Sequence, residues 1–339
     1  MTLTVAIAGC GYFSQFHQDA WSRMDDVTVV GIADHDPAKR AAAASRFPNA
    51  RAYDDIGTML DETRPQLLDI VTPPQTHLDI VRLATARNIA MICQKPLAPS
   101  FDEAVALVEE AERANTMLAV HENFRFMPWF METGRLIAAG AVGQPLNINF
   151  RLRPGDGQGP EAYLSRQPYF QQMPRFLIHE TGIHLIDVFR YLMGEITGVF
   201  ARLRKINPII AGEDAGFVVF DFASGAAGLF DGNRHVDHPA KDTRMTNGVL
   251  LVEGTEGVIR LDGFGKLFVR PRGGDEREHV YAWEDRGYGG DCVYFQCRHV
   301  VDHMTDGIPL MNSGRDYLRN LEIQEATYRS AAEGRFISV

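Results

Sequence analysis

Apolar residues follow two different rhythms along this chain, and the change falls near Phe126. Before that point, short apolar runs bounded by Gly, Pro or Asp alternate with stretches in which apolar residues recur every three or four positions. The runs Leu3 to Ala8, Val27 to Ala33 and Leu118 to His121 predict buried strands, and the stretches from about Ser14 and over Pro37 to Phe47 predict helices. In SFDEAVALVEEAERA (100–114), Ser100 and Glu103 have capping-box spacing ahead of Val105, Leu107 and Val108 at helical intervals. Strand and helix in regular alternation predict a parallel, doubly wound sheet of the Rossmann type.

Beyond Phe126 the period becomes two. In PLNINFRLR (145–153), Leu146, Ile148, Phe150 and Leu152 share one face, the pattern of a strand with one side buried. Similar runs at 196–205, 214–222, 225–231, 248–253, 257–261 and 265–270 predict an open, mostly antiparallel sheet arranged as a meander. A helix over about 180–193 and a helical segment over about 290–333 would pack against it. The fold class is therefore α/β, with an α+β C-terminal part. The expected domains are 1–123 and 124–339, with 290–333 reaching back toward the first. The Gly/Pro/Gln-rich stretch 154–175 is too long for a plain connection and suits a lid.

Composition narrows the partners. At 339 residues, with 45% hydrophobic and 23% charged, the chain has the profile of a globular protein large enough for two cores. A net charge of −10 without any long Lys/Arg run argues against nucleic acid and for small-molecule ligands. The opening MTLTVAIAGC lacks a basic leader, no membrane span is visible, and four cysteines do not make a disulfide framework. A cytoplasmic protein with reduced thiols is expected.

Within VAIAGCGYFSQFHQD (5–19), Gly9 and Gly11 stand where a dinucleotide-binding loop needs them, one for the tight turn and one for close approach of backbone to pyrophosphate. Ser14 occupies the third small position, and Tyr12 and Phe13 lie in the same loop as further cofactor contacts. At the end of the next strand, VVGIADHDP supplies Asp34 for the adenosine ribose, which favours NAD over NADP; Lys39 and Arg40 nearby weaken that preference slightly.

Five further motifs occur in an order and spacing that resemble the Gfo/Idh/MocA oxidoreductases: DIVTPPQTH (69–77), CQKPLAPS (93–100), HENFRFMPWF (121–130), HETGIHLIDVFRYLMG (179–194) and EATYRSAAEGRFISV (325–339). The resemblance implies a Rossmann domain followed by an open-sheet domain through which subunits pair, giving a homodimer or homotetramer. It also implies nicotinamide-dependent oxidation of a sugar, polyol or inositol hydroxyl. It places Thr72, Pro73 and His77 beside the cofactor, and makes Lys95 of the Lys-Pro motif a contact of both nicotinamide ribose and substrate. Gln94 stands where the family has glutamate, removing a charge beside Lys95. His184 matches the family's catalytic histidine, Glu180 takes the place of its aspartate, and FLIH (176–179) replaces the usual Gly-Gly lead-in.

The residues themselves support the same chemistry. Oxidising an alcohol removes a hydride and a proton, and the cofactor accepts only the hydride. On a regular helix Glu180, His184 and Asp187 share one face, so His184 is the natural base with a carboxylate to orient it. Lys95, after the strand IAMICQ (89–94), would stabilise the developing alkoxide. Arg125, Asp187, Tyr163, Arg166 and His179 are candidate substrate contacts. Cys292, Cys297, His299 and His303 form C-x4-C-x-H-x3-H but read as one helix on which they do not align, so no metal site is expected. His235 and His238 are expected to be solvated.

The reading is an NAD-dependent dehydrogenase of a sugar or polyol, an aldose at its anomeric carbon being preferred and a pentose such as D-apiose being one such substrate. An inositol dehydrogenase, an NAD-assisted glycosidase and a non-catalytic NAD-binding regulator remain as alternatives.

Overall fold

The computed structural model describes residues 2–339. In chain order the elements begin with β1 (Leu3–Ala8), α1 (Ser14–Ser22), β2 (Val27–Ala33), α2 (Pro37–Ala44), β3 (Arg51–Tyr53), α3 (Ile56–Thr63), β4 (Leu67–Ile70) and α4 (His77–Thr85). Then come β5 (Ala90–Gln94), α5 (Phe101–Arg113), β6 (Leu118–His121), α6 (Pro128–Ala138), β7 (Pro145–Leu152) and α7 (Ile183–Met193). The strands β8 (Ile196–Arg204), β9 (Ala215–Phe222) and β10 (Ala227–Asn233) precede the one-turn α8 (Thr243–Thr246). The chain finishes with β11 (Gly248–Gly254), β12 (Gly257–Leu261), β13 (Leu267–Pro271), β14 (Arg277–His279), α9 (Cys292–Asp306), α10 (Gly314–Glu333) and β15 (Ile337–Ser338). Two compact units result: Met1–Asn123 with Cys292–Arg319, and Phe124–Asp291 with Asn320–Val339.

The first unit is built on a six-stranded sheet in the order β3-β2-β1-β4-β5-β6, all of its pairs parallel. Its strand order reverses between β1 and β4, the switch point at which such sheets bind ligands. Val5, Ile7, Leu67, Ile70, Met91 and Ile92 are buried because both sheet faces are covered, which is why these strands read as unbroken apolar runs. Caps set the helix starts: the Asp36 carboxylate accepts from the Ala38 and Lys39 amides ahead of α2, and Ser100 Oγ accepts from Glu103 N ahead of α5. Each such cap contributes about 1 kcal/mol. Helix α2 stops at Ala44 rather than running to Phe47, because Pro48 disfavours helical geometry in the residue before it. The free edge of β6 is closed by Ser313, which bridges Ala119, and by Gln296 of α9, which donates to the Val120 carbonyl at 2.8 Å.

The second unit carries a nine-stranded sheet, β14-β13-β12-β11-β7-β10-β9-β8-β15. Every pair is antiparallel except β7 with β10. It is not the single meander that the connection lengths suggested. Two meanders, β8 to β10 and β11 to β14, flank β7, because the long excursion 153–195 carries the chain from the sheet centre to one side before it turns back. Ile148, Phe150, Leu152, Val218, Phe220, Phe230, Leu250 and Val252 form the buried face; Leu146 shares their parity but is exposed at the strand's start. The opposite face runs Phe200, Val219, Leu229, Asn149, Leu251 in register across five strands.

The helix expected over 180–193 has two parts. Leu177–Gly182 forms a turn of π-helix, and only from Ile183 does α7 wind regularly. Among the described residues, no helix is long and apolar enough to cross a membrane.

Candidate active site

In the first unit, the turn after β1 has the geometry of a dinucleotide loop. Gly9 sits at φ +99°, and a Cβ there would fall 2.6 Å from the Val71 carbonyl oxygen, so only glycine lets the loop pass the end of β4. At Gly11 a Cβ would meet nothing within 4 Å, which leaves the backbone open to a pyrophosphate. Ser14 is buried and its hydroxyl donates to the Gly11 carbonyl at 2.7 Å, so serine closes the third position by a hydrogen bond. Tyr12 is exposed in this loop, while Phe13 packs against the Phe16 and His17 rings.

Asp34 follows β2 directly. Its carboxylate accepts from Cys10 N at 2.6 Å and Asp36 N at 2.8 Å, which locks it beside the glycine loop. Arg40 donates to the Asp34 backbone carbonyl at 2.5 Å and Lys39 lies 3.7 Å from Asp36, so both neighbouring bases have partners. A glycine turn, a helix N-terminus and an acid at the second strand's end together fit an NAD molecule.

Thr72 and Pro73 follow β4, and Thr76 donates to Thr72 Oγ1 at 2.8 Å. His77 is buried behind this loop. Its Nδ1 lies 3.0 Å from the Leu97 carbonyl and its Nε2 2.9 Å from the Thr72 carbonyl, so the ring latches the Thr72 loop to the turn after Lys95. Burial lowers its pKa despite these two contacts.

Lys95 leaves the end of β5 half-buried, and its amide donates to Gln94 Oε1 at 2.7 Å. The other end of the Gln94 side chain stands 3.2 Å from His17 Nε2, while His17 Nδ1 meets the buried Asp69 carboxylate at 2.9 Å. Trp21 Nε1 donates to the same carboxylate at 2.7 Å. A neutral imidazole that donates from Nδ1 to Asp69 has a lone pair on Nε2, and the amide of Gln94 satisfies it. A glutamate at position 94 would set His17 between two carboxylates; glutamine keeps the ring's second nitrogen an acceptor. His17 and Asp69 were legible only as letters inside quoted motifs, His17 at the end of the glycine stretch and Asp69 as the first residue of DIVTPPQTH.

The second unit holds Glu180 and His184 at the junction of the π turn and α7. Glu180 lies in the wider turn and His184 in the first turn of α7, so the pair spans the change of winding rather than one regular helix. His184 is buried, and its ring lies flat on Phe124, with centroids 4.0 Å apart and planes within 5°. The turn is anchored by side chains that sequence reasoning missed. Glu213 Oε1 accepts from the Phe176 and Ile178 amides and from the Tyr328 hydroxyl, and that hydroxyl accepts from His179 N at 3.1 Å. Burial, with the Glu213 charge second, raises the Tyr328 phenol well above its ordinary value.

Several expected substrate contacts have partners within the framework. Asp187 is fully buried and takes a two-bond grip from Arg125 at 2.6 and 2.7 Å, with Asn320 adding a third bond at 2.7 Å. Tyr163 and Arg166 both reach Asp156, at 3.3 and 3.2 Å. Asp156 in turn binds the buried Arg234 through two nitrogens, and Arg234 donates to Thr181 Oγ1 at 2.8 Å, next to Glu180. Burial pushes the Asp156 carboxyl up, but the guanidiniums of Arg234 and Arg166 outweigh it and hold it below the usual carboxylate range. His235 and His238 are not simply solvated: His235 meets Asp214 at 3.1 Å, and the buried His238 meets the Arg153 carbonyl at 2.7 Å.

The residues of C-x4-C-x-H-x3-H do lie on one helix and take separate partners. Cys292 Sγ accepts from Asn123, His299 Nε2 accepts from Met311 N at 2.9 Å, and His303 Nδ1 meets the Ile308 carbonyl at 2.6 Å.

Comparison with known proteins decides the family. Residues 3–122 match the family model described as "Oxidoreductase family, NAD-binding Rossmann fold", and residues 130–260 match the "GFO/IDH/MocA C-terminal domain". The chain belongs to the Gfo/Idh/MocA oxidoreductases. It is 33% identical to a D-apiose dehydrogenase of Paraburkholderia graminis, over 98% of this chain and 89% of that protein. It is 30% identical to a D-apiose dehydrogenase of Rhizobium rhizogenes, over 98% and 96%. A crystal structure of an oxidoreductase from Agrobacterium radiobacter, in complex with NAD+, L-tartaric acid and magnesium, superposes with a TM-score of 0.90 at 30% identity, covering 100% of this chain and 98% of that one. This Gfo/Idh/MocA chain is thus an NAD-binding oxidoreductase in a family of sugar and polyol dehydrogenases, and the glycine loop with Asp34 is the part of the first unit that fits the dinucleotide.

Proposed function

We propose that the protein oxidises the anomeric hydroxyl of an aldose, a branched pentose of the D-apiose kind being the preferred substrate, with NAD as hydride acceptor. The substrate class rests on one observation: identity of 30–33% with two D-apiose dehydrogenases over 98% of this chain and 89% and 96% of theirs.

The residues divide the chemistry as follows. His184 takes the hydroxyl proton, because its ring is held in one plane by Phe124 on a rigid helix. Glu180, on the neighbouring π turn, orients the imidazole or the sugar. Lys95 hydrogen-bonds the reacting oxygen and stabilises the alkoxide as the carbon–hydrogen bond breaks. NAD supplies the hydride-accepting carbon, and a lactone leaves. Arg166, Tyr163 and His179 act at the pocket through the loop 154–175 and the turn they hold. Copies of the chain pair through the open sheet face that carries Phe200, Val219, Leu229 and Leu251, since a mostly apolar row, interrupted by Asn149, is rarely left in water.

The test is NADH formation with purified protein across D-apiose, other pentoses, hexoses and inositols, with NADP in parallel. D-apiose with NAD should give the highest kcat/KM, and Lys95→Ala and His184→Ala should each cost about a hundredfold or more. Equal rates on inositols and pentoses would sink the substrate assignment. NAD binding without turnover of any compound would point to a regulator or an NAD-assisted glycosidase.

A further inference from the structure

Three metal-ligating side chains that the proposed reaction does not use converge in the first unit. His17 on α1, His121 at the end of β6 and Cys297 on α9 each offer one ligand atom, and these atoms lie within 4.8 Å of one another. All three residues have no exposed surface. Their positions are far apart in sequence, so folding alone assembles them, and helical spacing within α9 could not reveal the cluster. We propose that His17, His121 and Cys297 bind a zinc ion that pins α1, β6 and α9 together.

The chemistry of the donors points to zinc. Two imidazoles and a thiolate form a set that favours Zn2+ and disfavours Mg2+ or Ca2+, which take oxygen ligands. Tetrahedral zinc, with bonds of about 2.0–2.1 Å to nitrogen and about 2.3 Å to sulfur, holds its ligand atoms roughly 3.3–3.8 Å apart. Reaching that spacing asks for about 1 Å of closure, within what side-chain rotation supplies. The two imidazole planes, 35° apart with centroids at 4.1 Å, must turn to aim both lone pairs at one point.

An outer shell is already in place. Metal-ligating histidines commonly donate their other N–H to a carboxylate, which fixes the tautomer and strengthens the ligand. His17 does this toward Asp69, whose carboxylate is also fixed by Trp21. The Gln94 amide engages His17 Nε2 without metal, so it must turn aside when the ion takes that lone pair; Gln94 pairs with His121 across β5 and β6. On binding, Cys297 gives up its thiol proton to solvent and the two histidines stay neutral. With no exposed path, the ion enters as the chain folds. The inference stands apart from the dehydrogenase reading, since it concerns metal content and not turnover.

The test uses tag-free, full-length protein expressed in zinc-supplemented and, separately, cobalt-supplemented minimal medium. Mass spectrometry of the metals should find about one zinc per chain. The cobalt form should show a thiolate-to-cobalt charge-transfer band in the near ultraviolet and intense tetrahedral bands in the visible. Cys297→Ser should lose the metal and the charge-transfer band, and Cys292→Ser should keep both. If Cys297→Ser does not fold, wild type unfolded in denaturant with a strong chelator and refolded without metal should have a lower Tm, with recovery on refolding in the presence of zinc and none with magnesium. Zinc well below one per chain, a cobalt spectrum without the thiolate band, or full metal content in Cys297→Ser would each overturn the proposal.

Discussion

The ring of His184 lies flat against that of Phe124, centroids 4.0 Å apart and planes within 5°. This stack helps to set the imidazole plane, so the proposed base depends in part on an apolar neighbour for its aim. An aromatic pair contributes about 0.5–1.5 kcal/mol beyond simple burial, equivalent to as much as about tenfold in rate. Phe124→Leu keeps the volume nearly constant and removes the stack. It should lower kcat up to about tenfold while KM for the sugar changes little. Steady-state kinetics decide it; an unchanged kcat would mean that His184 is aimed by something else or is not the base.

Arg125 and Asp187 read as pocket residues in the sequence and are a buried ion pair in the structure. The two roles predict different losses. Removing one member of a buried pair strands the other charge and costs about 3–5 kcal/mol, whereas replacing both by apolar residues is far milder. Asp187→Ala should therefore lower the urea midpoint sharply, and Arg125→Met with Asp187→Leu should recover most of it. If Asp187→Ala leaves stability intact and raises only KM, these residues contact substrate after all.

What could be read ahead of the structure divides along physical lines. The first sheet was legible because strands buried on both faces are continuous apolar runs and the intervening helices carry their own caps, Asp36 and Ser100 among them. The order of the second sheet was not, because β7 pairs with β10 in parallel across 74 residues or more of chain, and no local pattern records such a pairing. Glu180 and His184 were found by spacing, but the turn of π-helix that carries Glu180 was not, because it leaves no period of its own. Arg234, Glu213 and the cluster of His17 with Cys297 escaped for a common reason: each acts on residues distant in sequence.

Asp34 accepts hydrogen bonds from the amides of Cys10 and Asp36, so it shapes the glycine loop in addition to its proposed contact with the ribose. Asp34→Ser should weaken NAD binding by about tenfold or more, as expected for losing a charge-assisted hydrogen bond of about 1.5–3 kcal/mol. It should also narrow the preference for NAD over NADP, because a negative charge no longer opposes the 2′-phosphate. Calorimetric titration with both cofactors measures the two effects. A variant that binds NAD as tightly as the wild type would remove Asp34 from the cofactor site.

Arg234 clamps the loop 154–175 to the turn carrying Glu180, through Asp156 on one side and Thr181 on the other, under the rings of Tyr163, Phe170 and Phe176. Loosening this clamp should leave the cofactor's contacts in the first unit untouched and blur the sugar's. Asp156→Asn should raise KM for the sugar by about tenfold with little change in NAD affinity, a misplacement effect rather than a lost catalytic group. The clamp also carries a pH dependence. Its carboxyl titrates lower in the folded protein than the unfolded value of about 3.9, so its contribution to stability is complete above that value and is lost as the pH falls through the folded pKa. Asp156→Asn should accordingly flatten the acid limb of the stability curve measured by urea titration between neutral and strongly acid buffer. An acid limb as steep as that of the wild type, together with an unchanged KM, would show that the loop is held by other means.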